Sequence, residues 1–204
     1  MRKLIVIFMF LSLAGRGQTL IDYNSTDNSS YNSMYNGSSY AYFGQSFSNT
    51  SASVLNSCRF KLQKSASPTG YIYVNIYAHT GTYGTTGLPT GSALATSDGV
   101  DASTISTTAT EYTFTFSGTN KINLSASTYY CLVAFYTGGS STNKIRIYFY
   151  SSGTINIHPG IAFYSANGST WTKISTPAYS DCRFYVYGDD AAASTASPFM
   201  PISY

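Results

Sequence analysis

The residues able to do chemistry are few and scattered along the chain. His79 closes an alternating stretch and His158 precedes Pro159, and neither stands in a nucleophile, metal or phosphate motif. Glycoside hydrolysis needs two placed carboxylates, and between residues 40 and 188 only Asp98, Asp101, Glu111 and Asp181 are on offer. Asp98-Gly99-Val100-Asp101 could give oxygen ligands to a structural Ca²⁺. Two carboxylates in a turn fall well short of the roughly six to eight oxygens that ion takes, and a solvated turn is the preferred account of them. The sequence thus points away from an enzyme and calls for no cofactor.

Three cysteines, Cys58, Cys131 and Cys182, lie outside any CxxC or Cys/His zinc spacing. Cys58-Arg59-Phe60 and Cys182-Arg183-Phe184 are matching tripeptides in two alternating stretches, which makes Cys58 and Cys182 the candidate disulfide. The alternative is three small core residues, since Cys packs as a minor hydrophobe.

The elements that would carry these residues are strands. Of 204 residues, 43% are hydrophobic and 9% charged, against a usual charged share of about 25%. Tyr numbers 20, Phe 12 and Trp 1, and Ser and Thr together number 57. Such a composition excludes a coiled coil, a charge-rich disordered chain and a nucleic-acid-binding domain, and it suits pleated sheets joined by polar turns. Cys58, Phe60 and Leu62 alternate with Arg59, Lys61 and Gln63; Ile72, Val74 and Ile76 alternate with Tyr71, Tyr73, Asn75 and Tyr77. The same period runs through Phe114 and Phe116, through Ile145, Ile147 and Phe149, and through Cys182, Phe184 and Val186. Tyr129 to Tyr136 is apolar at every position, as in a central strand covered on both faces. About eight strands with one apolar face each predict an all-β, two-sheet antiparallel sandwich of the jelly-roll kind.

Around that domain, placed at residues 40–188, the organisation is a leader, a linker and a tail. Arg2 and Lys3 precede an apolar run from Leu4 to Leu13 and then Ala14, Gly15 and Gly17, the layout of a secretory signal peptide over residues 1–17. The run is too short for a membrane-spanning helix of about 20 residues. Residues 18–39, rich in Ser, Asn and Tyr without apolar periodicity, read as a flexible linker, and residues 189–204 as a flexible tail. Downstream of residue 17 eight basic and eight acidic residues cancel, so the formal charge of +3 belongs to the leader and no nucleic-acid partner is implied.

The succession Gln45-Ser46-Phe47, Phe60-Lys61-Leu62, Ile76-Tyr77-Ala78-His79-Thr80-Gly81-Thr82-Tyr83-Gly84, Pro89-Thr90-Gly91 and Phe184-Tyr185-Val186-Tyr187-Gly188 resembles the "choice-of-anchor R" type of β-sandwich domain. The resemblance implies display outside a cell or on a virus particle, and it implies no activity. No anchor sequence follows Gly188, unlike in the anchored members.

The surface feature left over is aromatic. Tyr71, Tyr73 and Tyr77 share the polar face of one strand and Tyr148 and Tyr150 that of another, and rows of exposed large rings mark contact surfaces. The reading is a secreted, non-catalytic surface or structural protein. It would act through contacts with protein partners or copies of itself, in assembly or adhesion, without stable membrane insertion. The alternative is a carbohydrate-binding module using a tyrosine face. Intact-mass measurement of exported protein should find a chain beginning near Gln18, and retention of Met1 would overturn the leader assignment.

Overall fold

The computed structural model describes residues 18–175 and 179–190. The expected leader and the tail beyond Asp190 lie outside the described residues. In chain order the strands are β1 (Thr19–Asn24), β2 (Ser30–Met34), β3 (Tyr42–Asn49), β4 (Ser53–Ser65), β5 (Tyr71–Thr80), β6 (Leu88–Thr96), β7 (Val100–Asp101) and β8 (Thr110–Thr115). Then follow β9 (Asn123–Leu124), β10 (Thr128–Phe135), β11 (Lys144–Ser152), β12 (Ala162–Ser165), β13 (Thr172–Lys173), β14 (Tyr179–Cys182) and β15 (Phe184–Asp190). They form two antiparallel sheets packed as a sandwich. The larger has eight strands along the path β1-β15-β4-β11-β14, with β2, β8 and β9 paired alongside; the smaller has seven along β13-β12-β3-β10-β5-β6, with β7 beside β5.

The count exceeds the expected eight for two reasons. Three of the strands, β7, β9 and β13, are two-residue pairings. The other reason is a correction: the stretch read as a linker holds β1, which pairs with β15, and β2, which pairs with β11, so the domain begins well before residue 40. Their backbone groups are satisfied by neighbouring strands, which needs little apolar periodicity in the sequence.

Alternation puts Phe43, Phe47, Phe60, Phe114, Leu132, Ile147, Phe184 and Val186 into one core between the sheets, all with no exposure. Each fully buried side chain of this size contributes about 1.5–3 kcal/mol relative to exposure. The apolar run of β10 lies centrally, between β3 and β5. Its Tyr130, Leu132 and Ala134 enter the main core, while Cys131 and Val133 join a second cluster with Tyr77, Ile161 and Phe163 on the outer side of the smaller sheet. Gly44 of β3 is needed there, because a Cβ would come within 2.7 Å of the Phe163 ring and 2.4 Å of the Leu132 carbonyl.

Polar groups join the sheets at one end of this core. The Gln45 amide nitrogen donates to Asp181 Oδ1 at 3.0 Å and lies 3.1 Å from His158 Nδ1, while its oxygen accepts from the Cys182 amide at 2.9 Å. Nδ1 also accepts from the Gly160 amide at 3.0 Å, so the ring proton sits on Nε2, which faces Asp22 Oδ1 at 3.2 Å. Asp22 in turn accepts from the Ser48 amide at 2.8 Å, tying β1 to β3. Burial pushes the Asp181 carboxyl up to about 6, against the hydrogen bond from Gln45 that lowers it.

The disulfide expectation is corrected here: Cys58, Cys131 and Cys182 are all free and buried. Phe184 lies opposite Phe60, so Cys58 and Cys182 flank that pair on opposite sides. Four residue steps along a strand separate them by about 13 Å, beyond the roughly 7 Å Cα distance that a bridge tolerates. Cys182 instead pairs in register with Phe149 of β11, its thiol 3.5 Å from the Gly44 carbonyl oxygen.

Because the Asp181 carboxyl titrates higher in the folded chain than in the unfolded one, the folded state holds the extra proton between those values. Its contribution to stability is therefore full below about pH 4 and lost as pH rises through about 6, by roughly 3 kcal/mol. Thermal unfolding should show a lower midpoint at neutral pH than near pH 5, and Asp181→Asn should flatten that slope. A slope unchanged in the variant would assign the pH dependence to another group.

Candidate functional site

The two outer faces of the sandwich differ. On the smaller sheet the expected row of tyrosines is broken: Tyr71 is 54% exposed, Tyr73 is half-buried, and Tyr77 is 7% exposed. All three project as alternation requires, but the hairpin joining β12 to β13 brings Trp171 to 5.6 Å from the Tyr77 ring, edge-on, and to 5.6 Å from Phe163. Tyr73 stacks on Phe135 at 5.6 Å, and Phe135 on Tyr42 at 5.1 Å. This face closes largely on its own rings, and Tyr77 is corrected from a contact residue to a core one.

On the larger sheet the rings stay open and alternate with cations. Tyr148, which the sequence singles out, is paired in register with Tyr31 of β2, their rings 5.7 Å apart. Tyr148 itself is 7% exposed, covered by Tyr31 and Lys61, and is corrected from a contact residue to a buried one; the half-buried Tyr150 follows it on the same face. Lys61 lies 5.1 Å over the Tyr148 ring and Arg146 lies 4.6 Å over Tyr31, distances at which the ring quadrupole attracts a cation. Farther across, Tyr23 of β1 stacks on its register partner Tyr185 at 5.9 Å, Tyr185 on Tyr187 at 6.3 Å, and Arg59 sits 5.1 Å over Tyr187.

Between these two groups runs a chain of ion pairs. Arg183 bonds Glu111 at 2.7 Å and Asp27 at 3.0 Å, and Lys61 bonds Asp27 at 3.0 Å. Burial works against the Asp27 charge, but hydrogen bonds from Lys61, the Ser29 amide and Arg183 outweigh it and hold its carboxyl below the usual range. A cleft of about 370 Å³ opens beside them, lined by Lys61, Ala109, Thr110, Glu111 and Arg183. The Tyr148 hydroxyl and Arg146 Nη1 both donate to Gln63 Oε1, at 2.6 and 3.2 Å, fixing the other end.

Sequence reasoning missed Tyr23, Tyr31, Asp27, Tyr185 and Tyr187. The first three fall in the stretch read as a linker. Tyr185 and Tyr187 had a usable signal, since the buried Phe184 and Val186 put them on the opposite face. The Ca²⁺ candidates are used otherwise: Asp98 accepts from Ser117 Oγ at 2.6 Å, and Asp101 caps a short 3₁₀ turn through the Ser103 amide at 2.8 Å. Among the described residues no group of three His, Cys, Asp or Glu side chains is placed to hold a metal ion. Nor is any helix there long and apolar enough to cross a membrane.

No family model and no curated protein matches the chain. A solved structure that is similar holds the cysteine protease and lectin-like domains of Cwp84, a surface layer associated protein of Clostridium difficile. Identity is 13% and the TM-score 0.45, over 74% of this chain and 32% of that one, so the chain spans about a third of that protein's length. A likeness of that size transfers neither a site nor an activity.

Asp27, 6% exposed at its side chain, holds Lys61 and Arg183 together. Asp27→Asn should lower stability at neutral pH by about 1–2 kcal/mol, read as a shift of a few degrees in the thermal midpoint. It should also weaken the loss of stability below about pH 4 that protonation of this carboxylate causes in the parent. An unshifted midpoint would mean that the pairs contribute nothing net.

Proposed function

We propose that this chain is a secreted, non-catalytic surface protein that works by contact, attaching or assembling through the outer face of the larger sheet. The observation that carries this reading is the row of four tyrosines, Tyr23, Tyr31, Tyr185 and Tyr187, interleaved with Arg59, Lys61, Arg146 and Arg183 on one open face. Tyr and Arg supply large contact area, hydrogen bonds and stacking together, which is why they dominate binding hot spots. The leader-like amino terminus supports export. The resemblance to choice-of-anchor R domains supports display on a cell or particle surface. A second reading, a carbohydrate-binding module, draws on the near-parallel stack of Tyr23, Tyr185 and Tyr187, whose rings lie within 9° and 12° of one another.

Tyr23 and Tyr31 are 51% and 45% exposed and lie outside the core between the sheets, so both can be replaced without opening it. The double variant Tyr23→Ser, Tyr31→Ser should weaken assembly, followed by light scattering and electron microscopy, or glycan-array binding by about tenfold or more. Its melting midpoint should fall by a few degrees at most, because the ring pairs with Tyr185 and Tyr148 are lost while the core between the sheets is untouched. A variant that assembles and binds like the parent would place the contact surface elsewhere.

A further inference from the structure

Given a contact surface on the larger sheet, as proposed above, its charge narrows what can occupy it. Charge is distributed unevenly over the molecule. The chain downstream of residue 17 sums to zero, yet Arg59, Lys61, Arg146 and Arg183 lie on this face against Asp27 and Glu111, four cations to two carboxylates. Lys144 at one end and Asp189 at the other leave that excess of two unchanged. Stacking on tyrosine does not neutralise a guanidinium. The Arg59 side chain is 43% exposed, with Glu111 only at 3.9 Å, and Arg146 is held at Nη1 by an uncharged amide oxygen.

An excess of positive charge makes face-to-face pairing of two copies unfavourable, because a two-fold axis would set cations against cations. The occupant is therefore anionic. An apolar protein patch would ask for aliphatic anchors, whereas the outward positions along β4 and β15 are Arg59, Lys61 and Gln63, then Tyr185 and Tyr187. Ring faces, hydroxyls and charged donors suit a polymer of sugar rings carrying carboxylates. The rings lie on aromatic faces and each carboxylate meets a guanidinium or ammonium. The cleft of about 370 Å³ between Lys61, Glu111 and Arg183 is within the size range of small-ligand sites. We infer that the outer face of the larger sheet binds an acidic polysaccharide, and this rests on the contact function proposed for that face. The carboxylates of the polymer engage Arg59 and Arg146, which no carboxylate holds closely, and its sugar rings lie on Tyr23, Tyr31, Tyr185 and Tyr187.

The test uses the full chain and three polymers of matched length: polygalacturonate, neutral dextran and polyglutamate. Calorimetry or a biosensor should give polygalacturonate an affinity about tenfold or more above either of the others, falling as salt is raised. Arg59→Gln with Arg146→Gln should weaken that binding about tenfold while leaving the melting temperature in place. Equal binding to dextran, equal binding to polyglutamate, or no binding to polygalacturonate would each overturn the acidic-sugar assignment. The two readings separate through the tyrosine double variant. If it still loses assembly or array binding, the contact surface stands and only its occupant is wrong; if it does not, both readings fall.

Discussion

Gln45 belongs to β3 in the smaller sheet, yet its amide is bound to β14 in the larger one and to the loop that carries His158. Removing that side chain would leave a carboxylate, a ring nitrogen and a backbone amide short of partners in a region closed to water, where each unmade hydrogen bond costs about 1–3 kcal/mol. Hydrophobic packing between sheets is non-directional and tolerates sliding; a network with fixed donors and acceptors does not. The network fixes how β14 meets β3, and the strand breaks at Arg183 before resuming as β15. From that break Arg183 reaches Asp27 and Glu111 on the outer face, next in sequence to the Cys182 amide that Gln45 holds.

The two outer faces follow from what each sheet does with its aromatic residues. The smaller sheet is followed by a hairpin that brings Trp171 back over Tyr77, and its face becomes a second, small core. The larger sheet has no such cover among the described residues, and its rings are propped apart by long cationic side chains from β4 and β11. Each of Arg59, Lys61 and Arg146 lays its charged end over a ring face, so the face does not present a continuous apolar patch. Such a face is tolerated in water by an isolated molecule and still has area to offer a partner.

Most strands were legible because alternation reports which side of a strand is buried, and Phe60, Ile72, Phe114, Ile147 and Phe184 all lie where that period puts them. Alternation does not report what lies over the other side, which is why Tyr77 projects as expected and is nevertheless covered. The stretch from Asp22 to Ser39 was opaque for a different reason. β1 and β2 bury little more than Asn24 and Met34, and they are held by backbone pairing and by outward ring pairs, Tyr23 with Tyr185 and Tyr31 with Tyr148. A strand that contributes its side chains to the surface leaves no apolar period to read. The candidate site was half-visible accordingly: Arg59, Lys61, Tyr148 and Tyr150 sit in clean alternation, while the partners that complete the face come from the unreadable strands. The Gln45 network was invisible, since Gln45 lies more than a hundred positions from His158 and Asp181 and no local pattern links them.

The scarcity of charge bears on what kind of protein this is. Carboxylates are so few that nearly every one described has a structural role. Asp22 and Asp181 serve the internal network, Asp98 and Asp101 the turns, and Asp27 and Glu111 hold cations. Asp181, raised to about 6, is the group most like a general acid, and its Oδ2 is buried without a hydrogen-bond partner. The space it adjoins, lined by Gly84, Asn156, Ile161, Lys173 and Ser180, is about 50 Å³, room for a water or two. The raised carboxyl follows from burying a polar junction between the two sheets. The cations and hydroxylated rings of the outer face of the larger sheet are what the fold leaves accessible there.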